Sequence, residues 1–335
     1  MSSLDEHGLI ARHFRPLATA AGAHRLLDDA ASYAPPRDLD LVLTKDGIAE
    51  GVHFPAGEAA DLVARKALRV NLSDLAAKGA RPVGYLVLLG LPDDWSEAWI
   101  AGFAAGLAAD QHEYAVELYG GDTIRSGRLV ISITAFGTVP PGGMVRRSGA
   151  QPGDRLYVSG TIGDGALGLR AATGDPHLHG LVGEADRIFL ADRYRLPRPR
   201  MALAEAVRRF ASAALDVSDG LAGDLDKLCT ASGVTAEVAA DRVPLSAAAA
   251  ACVAADRSML DLCLTGGDDY EILAAVPSRS APDFESAAMA AGVPVSCIGD
   301  VRAGAGPARF VDVAGQELRL VSRSFSHVRT DDPLR

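Results

Sequence analysis

The sequence predicts two mixed αβ domains in series, and three observations predict it. Strand-like and helix-like segments alternate through both halves of the 335 residues. Hydrophobic residues make up 48% and charged residues 23%, enough apolar material for two packed cores. Near the middle, Pro140-Pro141-Gly142-Gly143 interrupts the pattern with residues that propagate neither helix nor strand. The division follows as residues 1–140 and 141–335.

Apolar residues at helical spacing predict an opening helix over 9–21, and strict alternation predicts a strand over 39–44. A helix over 59–78 stops at Gly79 and Pro82, one able to turn left-handed and the other lacking an N–H. Residues 83–91 read as a buried strand and 97–111 as a helix. Two further strands, 115–119 and 129–139, flank a turn at Gly120-Gly121-Asp122-Thr123. In the second half a strand over 155–159 leads through a Gly-rich turn into a helix. Residues 201–210 read as helical, 214–217 as a short strand, and 219–232 as a helix with Ser218 as its N-cap. Strands and helices then alternate from 234 to 313, while 173–183 reads as a loop. No repeat in the solenoid range is present.

Charge and cysteine usage narrow the function classes. Lys plus Arg number 33 against 43 Asp plus Glu, a net charge of −10 with no basic block, so nucleic acid and anionic membrane are poor partners. The start, MSSLDEHGLI, lacks the apolar stretch of a secretion signal, and the alanine-rich run 245–255 is too short to cross a bilayer. Cys229, Cys252, Cys263 and Cys297 form no Cys-x-x-Cys pair, which reads as reduced thiols in a cytoplasmic protein.

The chemistry lies in acidic residues beside glycines and hydroxyls. These are Asp28-Asp29, Thr44-x-Asp46, Asn71-x-x-Asp74, Gly120-Gly121-Asp122-Thr123, Asp216-x-Ser218-Asp219-Gly220 and Gly266-Gly267-Asp268-Asp269. Each alone is ordinary turn chemistry. Together they suit hard divalent cations, because Mg²⁺ takes oxygen ligands and bridges one or two carboxylates to substrate phosphates. Phosphoryl transfer needs positioning and charge neutralisation more than covalent help, and a phosphate acceptor is already anionic. That fits a chain with no evident nucleophile–base pair.

Competing motifs fail. Gly163-Asp164-Gly165-Ala166-Leu167-Gly168 is formally G-x-G-x-x-G, but the helix-like segment 183–195 stands where a dinucleotide fold needs a strand ending in an acid. No Walker A Lys-Ser/Thr occurs, and Leu221 replaces the glycine an EF-hand loop needs at its sixth position. His177-x-His179 sits in a polar segment and reads as solvated, whereas His53 follows the Asp46 strand end and precedes Phe54-Pro55.

In order along the chain, these residues resemble the thiamine-monophosphate kinase family. The resemblance begins at Gly8-Leu9-Ile10-Ala11-Arg12-His13-Phe14 and continues through Asp28-Asp29-Ala30, Asp46 and Glu50-Gly51-Val52-His53-Phe54. Its most specific segment is Val70-Asn71-Leu72-Ser73-Asp74-Leu75-Ala76-Ala77, preceded by Arg65-Lys66-Ala67-Leu68. Gly120-Gly121-Asp122-Thr123, Arg147-Ser148-Gly149-Ala150, Pro152-Gly153-Asp154, Gly160-Thr161, Asp216 to Leu221 and Gly267 to Glu271 follow. The family moves the γ-phosphoryl of ATP onto thiamine monophosphate by direct in-line transfer with several Mg²⁺ ions. The resemblance implies Mg²⁺ ligands at Asp29, Thr44, Asp46, Asp74, Asp122, Asp216 and Asp219. It implies ATP contacts at Gly121, Asp122, Arg147 and Ser218, and thiamine monophosphate contacts at His53, Asp268 and Phe325. It also implies an α+β fold, a homodimer joined through the N-terminal sheets, a C-terminal αβ sandwich, and no catalytic side chain beyond charge neutralisation.

Four positions depart from the family pattern. Leu27 replaces a glycine before the Asp pair, and Lys45 replaces a Ser or Thr between Thr44 and Asp46, where an ammonium cannot ligate Mg²⁺. Ala104 replaces a tyrosine beside the adenine site, and Asp268 replaces a glutamate one methylene longer. Two alternatives therefore stand beside the kinase: a related ATP-dependent enzyme with another acceptor, and a weakly active paralogue that binds nucleotide or thiamine phosphates.

Overall fold

A computed structural model describes residues 5–324. By contacts the chain forms two compact units: the described residues through Val145 with Arg195–Arg209, and Arg146–Tyr194 with the described residues from Phe210 onward.

The first unit opens with α1 (Glu6–Leu9), which continues as a π-helical turn over Ile10–Phe14 and a 3-10 turn over Arg15–Leu17. A single opening helix is thus broken up, and Pro16, which lacks an N–H, sits at the tightened turn. Then come β1 (Asp40–Ala49), α2 (Ala60–Ala77), β2 (Arg81–Leu91), α3 (Glu97–Tyr114), β3 (Glu117–Arg125) and β4 (Val130–Val139). β1 runs five residues beyond its predicted end. Gly120 to Thr123 is not a turn but the middle of β3, where Tyr119 bulges between the Tyr85–Leu118 and Leu86–Gly120 pairs.

The strand order is β1-β4-β2-β3, antiparallel except for the β2–β3 pair that α3 connects. Side chains alternate, so Val42, Ile48, Tyr85, Leu89, Ile131 and Ile133 are buried. On α2, Leu68, Leu72 and Leu75 are fully buried, each contributing roughly 1.5–3 kcal/mol. On the other sheet face Phe136 is covered by Tyr33 and Tyr119, while Leu41, Leu43, Leu86 and Ile124 are 40%, 64%, 41% and 45% exposed. Arg69 of α2 joins buried Asp110 of α3 through two bonds (Nε–Oδ2 2.8 Å, NH2–Oδ1 2.9 Å), and its NH1 donates to Pro197 O (3.1 Å).

The second unit contains β5 (Arg155–Ser159), α4 (Asp164–Ala172), α5 (Pro176–Leu181) and α6 (Glu184–Arg195). After α7 (Ala204–Phe210), which lies almost wholly in the first unit, come β6 (Ala213–Val217), α8 (Leu221–Ser232), β7 (Thr235–Ala239), α9 (Ala247–Ala255) and α10 (Met259–Thr265). It ends with β8 (Glu271–Val276), α11 (Ala281–Ala290), β9 (Val295–Arg302) and β10 (Arg309–Val311). Its six strands lie in the order β10-β7-β9-β5-β8-β6. The expected loop at 173–183 contains α5 instead, because Asp175 caps it through the His177 N–H (2.8 Å) and Leu178 is buried. Together the units form the α+β architecture expected from the sequence. No helix among the described residues is long and apolar enough to cross a membrane.

Candidate functional site

In the first unit, strand alternation decides which acids meet. Thr44 and Asp46 lie two apart on β1, on the face that packs against α2. There Thr44 Oγ1 donates to the Asp74 carboxylate, and the Asp46 N–H donates to Asn71 Oδ1 (3.0 Å). Asn71 and Asp74, three apart on α2, share one side of that helix, and Asn71 Nδ2 is held by Ala67 O (3.0 Å). Just beyond β1, Ala49 N–H donates to His53 Nδ1 (3.1 Å), so a neutral ring carries its proton on Nε2. Lys66 Nζ donates to His53 O (2.9 Å), which fixes the same turn from α2.

Lys45 points the other way. Its ammonium donates to Ser132 Oγ (2.7 Å) on the other sheet face, where Lys45 pairs with Thr134. The sequence places Lys45 among the metal positions; the structure puts it across the sheet from Thr44, Asp46 and Asp74. Asp122 is exposed on β3, at the opposite sheet edge from β1, and accepts from its neighbour's N–H, Thr123 (2.9 Å). Gly121 beside it is also exposed. Asp29 lies in an exposed bend after Leu27, where His24, Arg25 and Leu26 all take positive φ. Ala104 is buried within α3.

In the second unit β6 delivers Asp216, which is buried, and then Ser218 and Asp219. Ser218 does not cap α8. Gly220, at φ +109°, precedes the helix, and the Asp224 carboxyl accepts from both the Ser218 and Asp219 N–H groups (2.9 Å each). A side chain at Gly220 would stand 2.3 Å from Thr265 O. Lys227 Nζ bridges Asp219 Oδ2 (2.5 Å) and Asp224 Oδ1 (2.7 Å). Burial pushes the Asp224 carboxyl above its ordinary range, only partly offset by Lys227. Burial opposes the charge on Lys227, but the two acids outweigh it and raise its pKa. Asp224 and Lys227 escaped sequence reading, although an acid in the first turn of α8 is a helix-start signal.

Asp268 is half-buried, and its N–H donates to Ser218 O (2.9 Å). Arg147 is exposed, with its carbonyl accepting from Ser232 Oγ (3.1 Å). Ser324 Oγ donates to Asp219 O (3.4 Å), and the next residue, Phe325, lies outside the described residues.

Among the described residues, no three His, Cys, Asp or Glu side chains come together to hold a metal ion. Thr44, Asp46 and Asp74 nonetheless fit Mg²⁺ as an open site. The Thr44 hydroxyl and Asp74 carboxylate are in contact and Asp46 lies on the same strand face, and hard oxygens of this kind are what Mg²⁺ takes from protein when phosphates supply the rest. At Asp219 the Lys227 ammonium already compensates one carboxylate oxygen.

The two halves define a class. Residues 27–139 match the AIR synthase related protein, N-terminal domain, and residues 151–312 match the AIR synthase related protein, C-terminal domain. Within that class the similarity is narrower. The chain is 47% identical over 306 residues to the thiamine-monophosphate kinase of Caulobacter vibrioides, covering 90% of this chain and 85% of that one. The crystal structure of thiamine-monophosphate kinase from Stenotrophomonas maltophilia superposes with a TM-score of 0.78 at 38% identity, covering 88% and 91% of the two chains. A structure of AaThiL complexed with AMPPCP and TMP superposes with a TM-score of 0.76 at 28% identity, covering 98% and 100%. The chain belongs to the thiamine-monophosphate kinase family.

Proposed function

We propose that this chain transfers the γ-phosphoryl group of ATP to the phosphate of thiamine monophosphate, giving thiamine diphosphate and ADP. The observation that carries this reading is the 47% identity over 90% of the chain to a thiamine-monophosphate kinase. The superposed structure complexed with AMPPCP and TMP adds that a relative of this fold holds both kinds of ligand.

In this reading the acceptor phosphate is its own nucleophile, so no general base is required. Bound Mg²⁺ supplies neutralisation of the charge on the phosphate oxygens. In the first unit Thr44, Asp46, Asp74, Asp29 and Asp122 would be ligands of the several Mg²⁺ ions, and in the second unit Asp216 and Asp219 would be, with Lys227 supplying a fixed positive charge beside Asp219. Gly121, Asp122, Arg147 and Ser218 contact ATP, the Arg147 guanidinium offering a planar fork of donors to phosphate oxygens. The contacts to thiamine monophosphate are assigned, by the family resemblance alone, to positions 53, 268 and 325. The position of Lys45 weakens the case for a degraded paralogue, since its ammonium leaves the Thr44–Asp46 side unchanged.

The proposal includes a homodimer, for which the face bearing Leu41, Leu43, Leu86 and Ile124 provides an apolar surface. Sedimentation giving a single species of monomer mass at micromolar concentration overturns that part. A cytoplasmic setting suits the buried free thiols of Cys229, Cys252 and Cys263.

The test is chromatographic separation of thiamine esters after incubating the purified protein with thiamine monophosphate, ATP and Mg²⁺, beside a no-metal control. Thiamine diphosphate formed only with both ATP and metal supports the proposal. Its absence, from folded protein that still binds ATP, assigns the chain another acceptor or a binding role.

A further inference from the structure

The formal G-x-G-x-x-G at Gly163 to Gly168 remains unused by this chemistry. It does lie between a strand and a helix, with Gly163 as the N-cap of α4. Its amides are already engaged. Gly163 N–H donates to Asp269 Oδ2 (2.7 Å) and Gly165 N–H donates to Asp269 Oδ1 (2.9 Å). Such a turn offers its N–H groups to an anion. Here the group that takes them is a side chain of the same protein, fully enclosed.

We propose that Asp269 is a positioning residue for the phosphoryl acceptor: its carboxyl, clamped by the Gly163 and Gly165 amides, holds the neighbouring Asp268 in a strained backbone conformation that presents it to thiamine monophosphate. This rests on the reading that Asp268 faces that substrate.

Three observations carry the proposal. Asp268 and Tyr270, on either side of Asp269, have φ of +71° and +52°, a region that side-chain-bearing residues avoid and occupy only when their surroundings hold them. The holding contacts converge on this segment. Asp268 N–H donates to Ser218 O (2.9 Å), Tyr270 N–H donates to Val217 O (2.8 Å), and the Asp269 carboxyl takes the two amides of the α4 turn. Finally, the turn presses directly on the Asp268 backbone: a Cβ at Gly165 would stand 2.3 Å from both the carbonyl carbon and oxygen of Asp268. Glu271 is separately tied by Ser159 Oγ (2.6 Å) and Arg193 NH2 (3.1 Å), so β8 keeps its place when Asp269 changes. Without the carboxyl, the two residues flanking position 269 are released toward ordinary negative φ, and Asp268 turns away.

Asp269→Asn sets one NH₂ group against two N–H donors and breaks one side of the clamp. The expected result is a KM for thiamine monophosphate raised about tenfold or more, with kcat and the KM for ATP within about threefold of wild type. Gly165→Ala keeps the carboxyl but pushes on Asp268, and it should give the same split. A folded Asp269→Asn protein with unchanged KM overturns the proposal, as does a proportional loss of all parameters in both variants. If neither variant folds, amide exchange of the wild-type protein decides: slow exchange at both Gly163 and Gly165 supports the clamp, and fast exchange at either overturns it. That measurement is independent of the substrate. A wild-type protein inactive on thiamine monophosphate refutes the functional reading, while the exchange rates still judge the clamp.

Discussion

Thr44 and Asp74 are thirty residues apart in sequence, on β1 and α2, yet the Thr44 hydroxyl donates directly to the Asp74 carboxylate. That contact, with Asp46 bound through its N–H to Asn71 one helical turn away, turns two separate motifs into one oxygen-rich group. The pairing follows from a period of two on the strand and three to four on the helix. It is the local basis for the Mg²⁺ proposal.

Replacing Asp74 by Asn keeps the volume and a hydrogen-bond acceptor but removes a negative charge. If Asp74 holds Mg²⁺ as proposed, turnover should fall on the order of a hundredfold or more, because the lost charge would hold a metal whose work is in the transition state. The circular dichroism spectrum and urea midpoint should stay near wild type. Retained turnover would remove Asp74 from the metal group.

Lys45→Thr restores the hydroxyl the family carries but places it on the sheet face away from α2, where Lys45 now bonds Ser132. kcat/KM should therefore change by less than about threefold, as for most surface substitutions away from a site. A gain of ten times or more in steady-state assays would mean that position 45 reaches the metal group after all.

Much of the fold was legible because its signals were strong and local. α2 ends at Ala77, just before the predicted stop at Gly79, and the buried strands and α3 follow their apolar patterns to within a few residues. Gly120-Gly121 misled, since two glycines signal a turn, while the bulge at Tyr119 and pairing with β2 keep them in a strand. Ser218 misled for a similar reason: a hydroxyl before a helix suggests a cap, but the acceptor is Asp224, six residues on. At the site, Thr44-x-Asp46 and Asn71-x-x-Asp74 were visible as motifs. Their mutual contact, and the opposite orientation of Lys45, depend on which sheet face packs against α2. Pattern alone left that choice open.

Asp110 is buried and receives three guanidinium hydrogen bonds, one from Arg65 and two from Arg69. Asp110→Ala leaves Arg69 buried with its main partner gone and should destabilise the protein by about 3–5 kcal/mol. Urea denaturation measures this directly. A loss within about 1 kcal/mol would show that Glu113 and Pro197 O suffice to hold Arg69.

The Cys229 and Cys252 thiols are each pushed up to about 11, chiefly by burial, from an ordinary value of 9.0. Between those values the folded protein holds protons that the unfolded chain has released. Stability is therefore full below pH 9 and declines as pH rises toward 11. Urea midpoints on either side of the window should show the decline. In native protein a thiol reagent near neutral pH should modify half-buried Cys297 before the three buried cysteines. Equal reaction of all four would mean that the second unit opens readily.

The central claim is direct phosphoryl transfer from ATP to thiamine monophosphate, and a single-turnover experiment with ATP labelled in its γ-phosphoryl group tests it most directly. Excess protein, Mg²⁺ and both substrates would be quenched at successive times and resolved into protein, inorganic phosphate and thiamine esters. The account predicts label passing straight into thiamine diphosphate, with none on the protein at any time. Label found first on the protein, or only in inorganic phosphate, would contradict it.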